Sequence, residues 1–326
     1  MDGLTGVRNT MATYILQRVI QMVPVMVLAT IISFSIIFLL PGDPALLILG
    51  DQLASDRSVY EAKRAELGLD RPLPIQYFDW LGKTVRGDLG VSTRDRQPVA
   101  QGMRERLPIT LQLAVMSMLL AIVIAIPAGI ISALRPNSKW DIASSLVAFG
   151  GIAIPNFWFG ILLIYLFAVT LRWLPPSGFV PFSQDPVQNL TRMLMPAFTL
   201  GLGLSAVLMR QTRSSLLEVL NQDYMTTARA KGLAQKVIVL RHALKNGLIP
   251  VVTVLGLQLG LVFGGSVITE SIFSIPGIGR WAVDSITTRD FPVVQAVSLV
   301  MAVGVLLANL IADIAYAYID PRIHYR

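Results

Sequence analysis

Few side chains in this sequence have the types and spacing that catalysis needs. The chain contains no cysteine, which excludes disulfides, thiolate metal sites and thiol nucleophiles together. His242 and His324 are the only imidazoles, and neither has an obvious partner. Gly82-Lys83-Thr84 looks like the end of a phosphate-binding loop, but that loop needs a glycine five positions before Gly82, where Tyr77 stands. Gly201, Gly203 and Ala206 have the spacing of a dinucleotide fingerprint. They sit inside an apolar stretch with no preceding strand, and read as packing residues. What remains is binding chemistry, in the run Asp223-Tyr224-Met225-Thr226-Thr227-Ala228-Arg229-Ala230-Lys231-Gly232-Leu233. It reads as a short helix with a stop. Asp223 suits the positive start of the helix dipole and is expected to cap it, Arg229 and Lys231 suit the last turn, and Gly232 can take the left-handed geometry that ends it. Ala228 and Gly232, four apart, would leave one face small enough to enter a groove on a partner.

That run lies within a basic segment, Arg210 to Pro250, where Arg210, Arg213, Arg229, Lys231, Lys236, Arg241 and Lys245 face only Glu218 and Asp223. The elements that must position it are membrane spans. Charged residues are 14% of the chain and apolar residues 54%, with mean hydropathy +0.63, far from the soluble pattern of about one quarter charged. Six uncharged stretches stand between charges: Val19 to Gly42, Ile109 to Leu134, Ile142 to Leu171, Met193 to Met209, Asn246 to Thr269 and Phe291 to Ala312. Each is near or above the length a helix needs to cross the hydrocarbon core, and helices satisfy their own backbone amides there.

The net charge of +7 follows membrane topology and not a basic nucleic-acid face. Arg8 and Arg18, Arg135 and Lys139, the long basic segment, and Arg322 and Arg326 fall on one side. The other side holds Arg172, Arg192, Arg280 and Arg289 with Asp185, Asp284 and Asp290 nearby. Both termini are therefore expected to be cytoplasmic. Leu39-Leu40-Pro41-Gly42 offers no small-x-small cleavage site, so the first stretch is expected to stay as a span.

The expected organisation is a cytoplasmic N-terminus (1–18), a first span (19–42), a soluble outward insert (43–108), a five-helix core (109–319) containing the cytoplasmic coupling segment (210–247), and a cytoplasmic C-terminus (320–326). The insert shows two helical patterns, around Val59 to Leu67 and Ile75 to Val85, and is either a connecting lid or a platform for an external partner. Pro41 stops the first span. Gly150, Gly151 and Pro155 predict a kink in the third. Gly256, Gly260 and Gly264 share one face of the fifth, for helix packing or for lining a path. The outer loop from Glu270 to Asp290 carries Phe273, Pro276, Gly277 and Gly279 before Trp281, and reads as a re-entrant or gating element or as a turn anchored by Trp281. Glu270 and Asp313 stand at span edges, as structural anchors ahead of substrate contacts, and the lack of a buried row of charges argues against an ion-driven mechanism.

The run Asp223 to Leu233 resembles the coupling-helix motif of binding-protein-dependent ABC importer permeases, Glu-Ala-Ala, three residues, Gly, nine residues, Ile-x-Leu-Pro. Ala228, Gly232 and Leu244 match. Thr226 and Thr227 replace Glu and Ala, and Lys245 replaces the proline, so a role for the usual glutamate does not carry over. The wording Asp223-Tyr224, Thr227 to Leu233 and Arg241 to Asn246 is similar to the dipeptide, oligopeptide and nickel branch. So are Leu40 to Pro44, Leu174 to Phe179, Phe273 to Arg280, Arg289 to Gln295 and Asp320 to Arg322. Together these cover nearly the whole chain.

The resemblance implies an all-α, six-span type I ABC importer permease in a bacterial inner membrane. It would work with a second, homologous permease chain, two cytoplasmic ATPase subunits carrying ATP and Mg, and an external solute-binding protein. Asp223, Tyr224, Thr227, Ala228, Arg229, Ala230, Lys231, Gly232 and Leu233 would contact the ATPase. No cofactor and no catalysis are expected on this chain, which lacks a phosphate-binding loop of its own. The alternative is an ion- or proton-coupled secondary transporter, which would call for inverted repeats around a midplane site.

Overall fold

The computed structural model describes residues 3–39, 45, 46, 49, 56–66 and 68–319. The Pro41 stop, the Asp320-Pro321-Arg322 ending, Arg326 and His324 lie outside them. Among the described residues the chain is helical, with one isolated antiparallel bridge between Val91 and Pro98. The helices are α1 (Gly3–Leu39), α2 (Arg57–Glu66), α3 (Leu73–Val85), α4 (Val99–Leu134), α5 (Lys139–Ala153), α6 (Asn156–Thr170), α7 (Pro186–Leu220), α8 (Asp223–Ala230), α9 (Ile249–Ile272), α10 (Ile278–Thr287) and α11 (Phe291–Ile319). Five of them, α1, α4, α7, α9 and α11, are long and apolar enough to cross a membrane, and α5 with α6 forms a sixth, bent by 108°.

That bend is far larger than the kink expected at Gly150 to Pro155. Pro155 has no amide hydrogen to donate, and it drives Ile154 into extended geometry (φ −81°, ψ 123°) between the two helices. The last seven residues of α6 wind as a π-helix.

Several helix boundaries differ from the sequence reading, and two of them bear on the site. The second span starts at Val99, so the insert ends before it and Pro108 lies inside α4. Arg104, Glu105 and Arg106 interrupt the apolar run, yet Val99 and Met103, one turn apart, are buried against Ile278, Val293 and Val297. Tertiary burial extends the helix through its charged turn. Likewise α7 does not stop near Met209 but continues to Leu220, so Arg210 and Arg213 ride on a span and not on a loop. Asp185 caps α7 by accepting from the Gln188 amide (2.9 Å), with Pro186 in its first turn.

The core is built around α7, the span with the largest share of its surface buried inside the bundle. Glycine sets how closely its neighbours approach. A Cβ on Gly201 would stand 2.9 Å from the Ser117 carbonyl oxygen of α4, and one on Gly129 would stand 2.6 Å from Thr212 Cβ. Gly201 is thus a packing residue, and both contacts require a missing side chain. By contrast α1 and α5 leave Val23, Leu28, Leu146 and Phe149 exposed, as expected of surfaces that face lipid.

Candidate functional site: the short helix after α7

The run after α7 folds as the sequence suggests, with one inversion of faces. Helix α8 spans Asp223–Ala230 and ends at Lys231, after which Gly232 adopts φ +76°. The Gly232 amide donates to the Arg229 carbonyl (3.0 Å) and the Leu233 amide to the Ala228 carbonyl (3.4 Å). This pair of bonds is a Schellman stop, which requires the left-handed residue found there. The predicted capping by Asp223 is not seen. Gln222 occupies the cap position without a side-chain bond, and Asp223 is the first helical residue, an acid in the first turn.

Ala228 does not face outward. Met225 and Ala228, three apart, are buried against Ala133, Leu216, Leu220, Ile238 and Ala243. They fasten α8 to the bundle. The opposite, exposed side carries Asp223, Thr226, Thr227 and Ala230, which at 100° per residue share one face. The small outward face is therefore built from Thr226, Thr227 and Ala230, with Tyr224, Arg229, Lys231 and Leu233 exposed around it. Thr226 and Met225 are additions to the residues singled out from sequence. The spacing of Met225 and Ala228, against threonines on the other side, was the available signal.

Hydrogen bonds hold the element at both ends. Arg229 Nη2 donates to the Leu220 carbonyl (3.3 Å), and Asn246 Nδ2 donates to the Tyr224 hydroxyl (3.0 Å). The chain returns through Gln235–Val237, the π-wound Ile238–Ala243 and Leu244–Gly247 before α9. A Cβ on Gly247 would lie 2.6 Å from Leu216 Cδ2, so this return packs tightly on α7. Beside it, Arg213 of α7 holds Asp141 of α5 with a bidentate ion pair, and Asp141 also accepts from Ser132 Oγ and the Asn137 amide. α8 is thus packed on α4 and α7, and the Arg213–Asp141 pair ties α7 to α5.

The three glycines of α9 divide. A Cβ on Gly256 would collide with Ala312 of α11, and one on Gly260 would sit 3.3 Å from Val305 Cγ1. Gly264, in contrast, is exposed and faces open space. The clearance between α9 and α11 widens along the row, so spacing alone overstates the contact.

At the other end of the bundle two of the residues named for a gate, Gly277 and Gly279, pack on one carboxylate. Glu270 is fully buried. It accepts from Thr110 Oγ1 (2.6 Å) and from the Arg280 amide (2.9 Å), and Thr110 Oγ1 in turn accepts from the Ile278 amide (2.9 Å). Gly277 and Gly279 lack side chains where the Glu270 carboxylate packs. Phe273 is buried, with its ring beside Gly160, and its carbonyl accepts from the Gly178 amide (2.9 Å). The loop continues into α10, where the Trp281 ring lies on Gly102 and 5.0 Å beneath the Arg106 guanidinium. Pro276 is half-buried in the irregular stretch between α9 and α10. Asp313 pairs with Arg18 at 3.4 Å, the anchoring expected of it.

The family of inner membrane components of binding-protein-dependent transport systems matches residues 125–325, and the N-terminal part of the membrane component of such systems matches residues 11–114. The chain is 43% identical over 319 residues to the oligopeptide transport system permease protein AppB of Bacillus subtilis (strain 168), covering 97% of this chain and 100% of that one. It is 41% identical over 316 residues to the glutathione transport system permease protein GsiC of Escherichia coli (strain K12), again over 97% and 100%. Among solved structures, the fold is similar to a chain of the inward-facing MetNI methionine ABC transporter, with TM-score 0.53, 18% identity, and 67% of this chain and 96% of that chain covered.

Proposed function

The chain belongs to the family of binding-protein-dependent transport system inner membrane components, and from that premise we propose that α8 is the plug through which a cytoplasmic ATPase drives this bundle. It is a multi-pass inner-membrane permease subunit of an ABC importer, with the type I permease fold. The family favours ATP-driven import over gradient-driven secondary transport.

The single observation that carries the proposal is the two-sidedness of α8. Met225 and Ala228 bind it to its own bundle, while Thr226, Thr227 and Ala230 are left exposed on a face free of bulk. The Schellman turn fixes where the helix ends, as it does for many helices, and the distinguishing feature is the exposed side that keeps only small side chains. Such a face suits a cleft on a partner. In the complete machine ATP and Mg are held by two separate ATPase subunits, a homologous second permease supplies the other half of the path, and an external binding protein delivers the solute. Nucleotide state and the access state of the path then bias each other reciprocally.

Relatives named for oligopeptide and for glutathione transport support a short peptide or peptide-like solute. The basic side of the bundle, with Arg135, Lys139 and the run from Arg210 to Lys245, supports cytoplasmic termini. The cysteine-free chain allows a direct test in the assembled transporter. A Thr227→Cys variant that still imports peptide should crosslink to a cysteine in the ATPase cleft. A transport-competent complex that never gives this crosslink would overturn the coupling assignment.

A further inference from the structure

The sequence pattern marks the insert as soluble, and its helix α3 packs against the apolar span of α1. The Tyr77 hydroxyl of α3 is 2.8 Å from the Thr30 hydroxyl of α1, and Thr30 is buried within the apolar span Ile15–Phe38. That places Thr30 about two turns, on the order of 12 Å, below the Phe38 end of the span. The level of that end is cross-checked by α11, whose Gln295 Nε2 donates to the Phe34 carbonyl (3.1 Å) close to the start of its own apolar span at Phe291. Half the hydrocarbon core is about 15 Å. Tyr77 therefore reaches well into the slab from which water is excluded.

The side chains of α3 fit that position. Tyr77 and Trp80 pack with Phe34 at centroid distances of 5.6 and 5.8 Å. Ile75, Phe78 and Val85 share another face and are 48%, 67% and 79% exposed. Gln76, Asp79 and Lys83 form a polar face, with Arg71 Nη1 bonded to Asp79 Oδ2 at 2.9 Å. Between α3 and α1 runs a groove of about 290 Å³, walled by Ile31, Phe34, Phe38, Leu73, Tyr77 and Phe78. It opens beside Ile31 and Phe38, which belong to the exposed apolar surface that α1 presents to lipid.

We propose that α3 is an interfacial helix seated in the membrane leaflet on the insert's side, with its Ile75, Phe78 and Val85 face among the acyl chains and one phospholipid chain lying in the groove against α1. The occupant is lipid because the groove is continuous with the lipid-facing surface of α1 and because the Tyr77–Thr30 contact fixes its depth. Aromatic residues at a span end and a polar face turned to the headgroups are what such a helix presents. The inference holds whichever side carries the termini.

The test uses the whole transporter in nanodiscs of phosphatidylethanolamine and phosphatidylglycerol, with single spin labels at Ile75→Cys and Phe78→Cys. Leu146→Cys serves as the lipid reference and Asp56→Cys as the aqueous one. Collision with oxygen should exceed that at Asp56 by several-fold, and collision with a water-soluble nickel chelate should fall by several-fold, as at Leu146. Labels that behave like Asp56 would overturn the proposal. So would labels that lose both collisions only when the external binding protein is added, which would make the face a protein-docking surface. Photoactivatable phospholipid applied to the unsubstituted transporter gives an independent readout. Adducts on Leu73–Val85 support the seating, and adducts on α1 with none on α3 refute it.

Discussion

Arg213 grips Asp141 through two hydrogen bonds, Nε to Oδ1 at 2.7 Å and Nη2 to Oδ2 at 2.9 Å, and so ties the first half of the broken span to the long helix that leads to α8. The Asp141 side chain is only 6% exposed and that of Arg213 is 33% exposed. Planar guanidinium and carboxylate groups meeting in this way give a geometry that lysine does not reproduce. The pair behaves as a rigid strut between α5 and α7.

Removing one partner leaves the other without its counter-ion. Asp141→Ala should lower stability by about 2 kcal/mol, within the range for hydrogen bonds to charged groups. Arg213→Lys should lose part of that amount, since lysine keeps the charge but not the two-pronged geometry. Thermal melting of the assembled transporter in detergent checks both. If the double variant Asp141→Ala/Arg213→Ala melts as low as the sum of the two single variants predicts, the residues do not act as a pair.

At Gly232 the strain is conformational and not steric. A Cβ there meets nothing within 4 Å, but φ is +76°. Gly232→Ala should cost about 1–2 kcal/mol locally, while Gly232→Asn should be milder, since asparagine tolerates this region. Both proteins should reach the membrane at normal levels. Peptide uptake should fall in the order glycine, asparagine, alanine, and equal uptake by all three would show that the stop is dispensable.

The two faces of α8 should fail in different ways. Met225→Ala removes a fully buried side chain and should destabilise the bundle by about 2–5 kcal/mol. Thr226→Trp adds bulk to the exposed face and should leave melting of the isolated permease unchanged, while abolishing transport and peptide-stimulated ATP hydrolysis in the complex. A melting loss for Thr226→Trp as large as that for Met225→Ala would mean that the outward face is misassigned.

Much of this arrangement was legible from single-segment patterns. The span positions, the Gly232 stop and the two insert helices follow from apolar length, the left-handed preference of glycine and amphipathic spacing, all of which are local. What escaped depended on contacts across the bundle. Val99 and Met103 are held by residues of α10 and α11, so no local signal could move the start of α4 upstream of its charges. Ala228 points inward because Leu216 and Ile238 are there to receive it. Gly264 shares its row with Gly256 and Gly260, but a side chain there would meet no neighbour within 4 Å. The Asp141–Arg213 pair joins separate helices and leaves only the Ser138 cap, which accepts from the Asp141 amide at 3.3 Å, as a trace in sequence.

The Glu270 node gives the sharpest test of the loop after α9. A methyl group on Gly277 would collide with the Glu270 carboxylate, so Gly277→Ala should cost about 1–3 kcal/mol by overpacking. Glu270→Ala should also destabilise, because it leaves the Arg280 amide and the Thr110 hydroxyl without their acceptor. Combined, the two changes should cost less than their sum, since the space vacated by the carboxylate receives the new methyl. Thermal melting of the four proteins in the cycle reads this directly. Strict additivity would mean that Gly277 is required for its backbone geometry and not for the room it leaves to Glu270, and the loop could then flex without disturbing the carboxylate.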